Sequence, residues 1–188
     1  MTDFIEMVRK KLQDHQPAQI TAPDRIPAAV LAPFFEKNGE PHLLFTRRTS
    51  HLQFHRGEIC FPGGSREAGD SDLQATALRE FSEEIRIPHE QIEILGKLEN
   101  IRTVSSFFLV APYVGYLKRN MVWDPDPHEV EQILEVPYHH VQDPAIFREE
   151  IRLVDQKPHP VYYYQWQSHT IWGVTARILK TLMDLLSS

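Results

Sequence analysis

A chain of 188 residues is the size of one ordinary domain and can bury a core without disulfides or a structural metal. Its 41% hydrophobic and 24% charged residues are those of a globular protein, and no apolar run approaches the roughly 20 residues that span a bilayer. The net charge of −6 argues against broad, sequence-independent nucleic-acid binding, although an acidic protein can still hold a local basic pocket for phosphates.

Residues 3–16 place Phe4, Ile5, Val8 and Leu12 at helical spacing behind Asp3 as N-cap, and lack the uninterrupted apolar core of a secretory signal. Pro17, Pro23 and Pro27 break up the next stretch, so residues 1–27 read as a helix and linker. Residues 28–35 are a compact apolar run, read as a buried strand. Turn chemistry at Glu36-Lys37-Asn38-Gly39 leads into a partner strand at 42–48. A loop with Arg47, Arg48, His51, His55 and Arg56 comes next, then Pro62-Gly63-Gly64 as a sharp turn and an acidic loop over 65–72. Residues 73–85 have helical periodicity without a breaker, and Pro88 is expected to stop that helix. Strands are predicted at 92–100 and 107–117, with a loop at 123–127, while 129–136 fits strand or helix. A hairpin of 149–154 and 161–166 is joined by a loop at 157–160. An amphipathic helix over 171–186 closes the chain, with Ile171, Val174, Ile178, Leu182 and Leu185 on one face. This order points to one α/β or α+β sandwich.

The chemistry concentrates in the helix at 73–85. At about 100° per residue, Glu80, Glu83 and Glu84 fall within an arc of roughly 100°, opposite Leu78, Phe81 and Ile85. Like charges three and four residues apart are destabilising, and carboxylates near a helix C-terminus oppose its dipole. Something positive must compensate them. A hard divalent cation such as Mg²⁺, shared between carboxylates and substrate phosphates, is one answer. A solvated acidic face, neutralised by Arg79 or Arg86, is the other that the helix alone allows.

The upstream loop bears on that choice. Gly64, then Asp70 after five residues, then Arg79-Glu80-Phe81-Ser82-Glu83-Glu84-Ile85-Arg86-Ile87 resembles the box of the Nudix hydrolase family, which would span residues 64–87 here. Three departures stand out: Asp70 replaces a glutamate, the gap from it to Arg79 is one residue longer, and Arg86 replaces a glycine. The last is harmless if the backbone there is not left-handed. The resemblance implies a single Nudix domain over 1–188, an α/β/α sandwich with a mixed β-sheet, and a pyrophosphohydrolase using Mg²⁺ or Mn²⁺. It implies Glu80, Glu83 and Glu84 as metal ligands, assisted by the Gly64 carbonyl, and Asp70 as the acid that steadies the loop against Arg79, with Asp72 as the alternative. Metal at this position would neutralise diphosphate oxygens and acidify water. Glu129 is the candidate base, a surface glutamate before a strand being its plainer reading; Glu83 or Glu84 could also serve.

Leu43-Leu44-Phe45-Thr46-Arg47-Arg48-Thr49, with Gly57 and Phe61-Pro62-Gly63-Gly64, is similar to the coenzyme A pyrophosphatase branch of that family, as is Ile171-Trp172-Gly173-Val174-Thr175-Ala176-Arg177-Ile178-Leu179. Thr49 departs from the Ser or Ala of that pattern, and Gln53 from its second Arg. The branch implies cleavage of coenzyme A to 3′,5′-ADP and 4′-phosphopantetheine, with Arg47, Arg48, Arg56, Phe61 and Gly63 at the substrate. ADP-ribose, nucleoside diphosphate sugars and dinucleotides are the alternative substrates, and a non-catalytic nucleotide sensor is the alternative class. The expected partner is a small nucleotide diphosphate rather than nucleic acid or membrane, and the aromatic-rich C-terminal third is a candidate homodimer interface. The single cysteine, Cys60, excludes an internal disulfide, which favours a cytoplasmic setting, and reads as a small buried hydrophobe.

Overall fold

The computed structural model describes residues 1–18, 20–50, 57–104, 106–118, 122–154 and 156–188. The predicted roles of His51, Gln53, His55 and Arg56 lie outside these residues. Helix α1 (Thr2–Asp14) turns Ile5, Val8 and Leu12 inward, but Met1 stands at its N-cap and Asp3 falls in its first turn. Strands β1 (Ile26–Lys37) and β2 (Glu40–Arg48) form the expected hairpin. Asn38 and Gly39 both take positive φ, 54° and 81°, as a two-residue turn between right-twisted strands demands.

The hairpin does not stay closed. Strand β2 pairs with β1 only over residues 40–43, and a segment carrying β3 (Ile59–Cys60) and β4 (Gly63–Ser65) fills the split beyond. Strand β3 pairs with Thr46 and Arg47, β4 pairs with Ala28, Ala29 and Val30, and the Leu31 amide donates to the Pro62 carbonyl between them. Pro62-Gly63-Gly64 is therefore backbone inserted into a sheet, not the sharp turn its composition predicts. Only glycine fits at 63, where a Cβ would lie 2.3 Å from the Ala29 carbonyl oxygen.

Helix α2 (Leu73–Ile85) occupies the predicted residues, with Asp72 as N-cap accepting from the Ala75 amide at 2.8 Å. It ends two residues before Pro88, in a left-handed cap at Arg86 with φ 58° and ψ 34°. Arg86 thus carries the conformation that its harmlessness excluded, at a cost of about 1 kcal/mol. Beyond it lie β5 (Ile92–Lys97), β6 (Ile101–Arg102) and β7 (Phe108–Leu117), so the strand predicted at 92–100 ends at Lys97 and a further short strand, β6, follows it. Strand β8 (Val130–Pro137) resolves the ambiguous segment as a strand antiparallel to β2. Helix α3 (Tyr138–Val141) leads to a second, three-stranded sheet of β9 (Phe147–Val154), β10 (Lys157–Trp166) and β11 (His169–Trp172). Residues 157–160 belong to β10 and are not the connecting loop. Helix α4 (Gly173–Ser187) starts later than predicted, leaving Ile171 on β11, and buries Ala176, Ile178, Leu179, Leu182, Met183 and Leu186. Val174 and Leu185 are only partly covered.

Strand β1 is central, parallel to β7 on one edge and antiparallel to β2 and β4 on the other. Both of its faces are buried, which explains its unbroken apolar run. Ala29, Leu31 and Phe35 pack with Ala77, Phe81 and Ile85 of α2. Ala28, Ala32 and Phe34 pack with α1 and α4. The result is the α/β/α sandwich with a mixed sheet. Among the described residues no helix is long and apolar enough to cross a membrane.

Candidate active site

Arg79 organises the site. Its guanidinium donates Nε to Asp70 Oδ1 at 3.0 Å and Nη2 to Asp70 Oδ2 at 3.1 Å, a bidentate pair, and Nη2 also reaches the Ser65 carbonyl at 3.0 Å. Asp70 additionally accepts from the Thr76 hydroxyl and the Glu67 amide, each at 2.9 Å. The Arg79 guanidinium, followed by the Glu67 amide, holds the Asp70 carboxyl well below the usual carboxylate range. Asp72, the alternative partner, is occupied as the N-cap. Asp70→Asn should cost about 2–3 kcal/mol, because it removes the charge from a largely buried pair. A depressed folded-state pKa gives stability that is present above the unfolded value near about 4 and lost as pH falls below it. Urea unfolding at acid and neutral pH should therefore show the variant's deficit shrinking on acidification.

The three glutamates do not share one environment. Side-chain exposure is 15% for Glu80, 58% for Glu83 and 2% for Glu84. Glu84 lies roughly 20° from Ala77 on the helical wheel, so the face that packs on the sheet takes it inward. Its Oε1 receives Arg48 Nη1 at 3.4 Å, whereas its buried Oε2 has no hydrogen-bond partner among the described residues. Burial pushes the Glu84 carboxyl up to about 8; Arg48 and the Gly63 amide act against this, and the charges of Glu129 and Glu80 add to it. Burial likewise raises Glu80, opposed by Arg79 and reinforced by Glu83 and Glu129. The Glu80 carboxylate lies against the Gly64 backbone, since a Cβ on Gly64 would fall 2.5 Å from it. Arg79 Nη1 draws Glu80 and Glu83 together, at 3.0 and 2.9 Å.

The loop bearing Glu129 is fastened to the same helix end. The Asp126 amide donates to the Glu84 carbonyl at 2.9 Å, and Arg86 Nη2 lies 3.4 Å from Asp126 Oδ1. From the other side, the Thr49 amide donates to the Glu129 carbonyl and the Thr49 hydroxyl to the His128 carbonyl, both at 3.0 Å. Sequence reasoning missed this clamp and registered Thr49 only as a departure from Ser or Ala. The two adjacent arginines diverge: Arg48 contacts Glu84, while Arg47 pairs with Glu131 at 3.5 Å near a bulge in the β2–β8 ladder. Phe61 was expected at the substrate but is 2% exposed and stacks on Phe45 at 4.5 Å, so it supports the inserted segment from within the core. Burial and the neighbouring Glu84 push the Cys60 thiol up to about 11, which keeps it neutral and poorly nucleophilic near pH 7.

This donor set fits a hard divalent cation. An orphaned carboxylate oxygen is buried beside a second glutamate and a backbone held open by Gly64, and positive charge there would satisfy all three. Among the described residues, no three acidic or imidazole side chains already converge as a coordination shell. Glu83 is turned toward Arg79 instead.

The family model of the NUDIX domain matches residues 25–159. The uncharacterized Nudix hydrolase NudL of Photorhabdus laumondii is 37% identical over 186 residues, covering 97% of this chain and 95% of that relative. A solved MutT/nudix family protein from Enterococcus faecalis aligns with a TM-score of 0.59 at 12% identity, over 100% of this chain and 70% of its own. The NUDIX domain of Shewanella oneidensis NrtR, complexed with ADP ribose, aligns at 0.50 with 19% identity, over 70% of this chain and 84% of its own. The two structural likenesses speak to the fold.

Proposed function

The chain belongs to the Nudix hydrolase family, and on that basis we propose that it is a coenzyme A diphosphatase, releasing 3′,5′-ADP and 4′-phosphopantetheine. The observation that carries the reading of the site is the buried Oε2 of Glu84, without a partner among the described residues, beside Glu80 and the Gly63-Gly64 backbone. Glu80, Glu83, Glu84 and the Gly64 carbonyl would hold Mg²⁺ or Mn²⁺. When bound, the cation supplies charge neutralisation at the diphosphate and acidifies water.

The chain's own groups do the rest. Asp70 and Arg79 lock the loop over 65–72 to α2, which fixes Gly64 against Glu80. Glu129, whose charge disfavours ionisation of Glu80 and Glu84, would orient or deprotonate the attacking water. Arg48 would meet the phosphates, with Arg56 as the further candidate that the sequence supplies, since guanidinium groups bind phosphate oxygens by charge-assisted pairs. The coenzyme A assignment rests on the register of Thr46, Arg48, Gly57 and Phe61–Gly64, and the lone cysteine supports a cytoplasmic setting.

The NrtR domain, complexed with ADP ribose, supports a second reading, an ADP-ribose or sugar-nucleotide pyrophosphatase. A substrate panel with Mg²⁺ or Mn²⁺, products identified by mass, separates the two. The expected result is rapid release of 3′,5′-ADP from coenzyme A. Rapid hydrolysis of ADP-ribose with coenzyme A inert would sink the first reading, and nucleotide binding without turnover of anything would make the domain a sensor.

A further inference from the structure

One face of the distal half of the β9–β10 hairpin is apolar and exposed, where an isolated edge strand should not be. Ile151 and Leu153 of β9 are 62% and 74% exposed. They lie on the same face as Phe147, which packs on Tyr162 and Tyr164 nearer the body of the protein. Strand β9 is an edge of the three-stranded sheet, whose order is β11-β10-β9. Long, apolar, unprotected edges template further strand pairing, and proteins ordinarily block them.

The partner strand shows such a block, and it also fixes which way β9 points its backbone. Pro160 is paired with Ile151 and Pro158 with Leu153. Proline has no N–H, so the ladder bonds run through the Glu150–Val161 and Arg152–His159 pairs. The outer edge of β10 at Pro158 and Pro160 thus offers no donor to a newcomer, whereas the backbone groups of Glu149, Ile151 and Leu153 point outward from β9 with donors intact. One edge of the hairpin is closed and the other is open.

We propose that a second copy of this chain pairs with β9, antiparallel and edge to edge, with Ile151 on the two-fold axis. Symmetry allows only registers that set outward-facing residues opposite one another, and charge selects among them. With the axis at Glu150, two glutamates face each other; at Arg152, two arginines do. With the axis at Ile151, each Glu150 faces the other copy's Arg152, Ile151 packs on Ile151, and Leu153 lies diagonal to the other copy's Ile151. In this register Glu149, Ile151 and Leu153 all satisfy their outward amides and carbonyls. Glu150 already anchors a charged network that such a pair would extend. Tyr163 donates to it at 3.0 Å, and Arg148 and Arg152 of its own strand pair with it, the latter at 3.3 Å. Both guanidinium groups lie over the Tyr163 ring, at 4.2 and 5.8 Å. The surface is distinct from the acidic site on α2, so the dimer stands or falls independently of the proposed activity.

Sedimentation equilibrium tests the pairing and cysteine cross-linking tests its register. The wild-type chain should sediment as a dimer, and Ile151→Lys, which sets two cations on the axis, as a folded monomer of unchanged circular dichroism. Under oxidation Ile151→Cys should form a covalent dimer, because opposed hydrogen-bonded residues sit about 5.5 Å apart between Cα atoms, within disulfide reach. Leu153→Cys should not, its copies being about 14 Å apart in this register. A monomeric wild type, a dimeric Ile151→Lys, or equal cross-linking of the two cysteine variants overturns the proposal.

Discussion

Glu84→Gln is expected to lower turnover at least about 10³-fold while leaving the metal-free fold as stable as before, or more so. The two halves of this expectation have one cause. Glu84 is 2% exposed and one of its oxygens has no partner among the described residues, so in the absence of metal its ionised form is a buried charge that Arg48 only partly offsets. Glutamine keeps the shape and the bond to Arg48 in altered form, and removes that charge. The site loses a ligand, but the fold loses nothing it needs. Glu83→Gln should also reduce turnover, with little change in stability, since the Glu83–Arg79 pair is largely solvated. Steady-state kinetics with Mg²⁺ or Mn²⁺ and chemical denaturation in EDTA read the two halves separately. Unchanged turnover in both variants would falsify the assignment of the acids as metal ligands. Lost turnover with a large loss of metal-free stability in Glu84→Gln would instead mark Glu84 as a structural residue.

This division between stability and function shows what the sequence could and could not reveal. Helix α2 was readable to the residue, because its periodicity is strong and no breaker interrupts it. The hairpin turn at Asn38-Gly39 was readable because few residues tolerate two positive φ values in succession. Less visible was everything decided by insertion. Pro62-Gly63-Gly64 has the composition of a turn, yet Gly63 and Gly64 are strand and the Pro62 carbonyl accepts from Leu31, because β1 and β2 part and need a third segment to satisfy their backbone. The helical wheel grouped Glu80, Glu83 and Glu84 on one polar arc, but a wheel carries no information about which edge of that arc a sheet will cover. Glu84 went under and Glu83 stayed out. Arg86 shows the same limit: its left-handed backbone reflects the cap geometry and the 124–129 loop it meets, neither of which a substitution pattern contains. Thr49 was legible as a small departure and illegible as a clamp on His128 and Glu129, a contact spanning 79 residues of chain.

The metal-free protein should lose stability as pH rises from about 5 to about 8, and divalent cation should reverse the loss. Glu84 has a folded-state pKa pushed up to about 8 by burial, whereas an unfolded glutamate ionises near about 4.3. Between those values the folded state holds a proton that the unfolded state has released. Stability then falls with rising pH, at up to about 1.4 kcal/mol per pH unit for a single group. Glu80, raised in the same direction, adds to the slope. Asp70 does not oppose it in this window, because its depressed pKa makes its contribution complete above about pH 4. A cation bound by the carboxylates competes with the proton, so its stabilisation must grow over the same interval in which the free protein weakens. Thermal unfolding of wild type and Glu84→Gln across this range, in EDTA and in Mg²⁺, provides the check. The wild type in EDTA should soften with pH, Glu84→Gln should stay nearly flat, and Mg²⁺ should raise the wild-type midpoint most at the alkaline end. A wild-type midpoint that climbs with pH in EDTA, or a Mg²⁺ effect of equal size in Glu84→Gln, would show that the buried carboxylate is not where proton and metal compete.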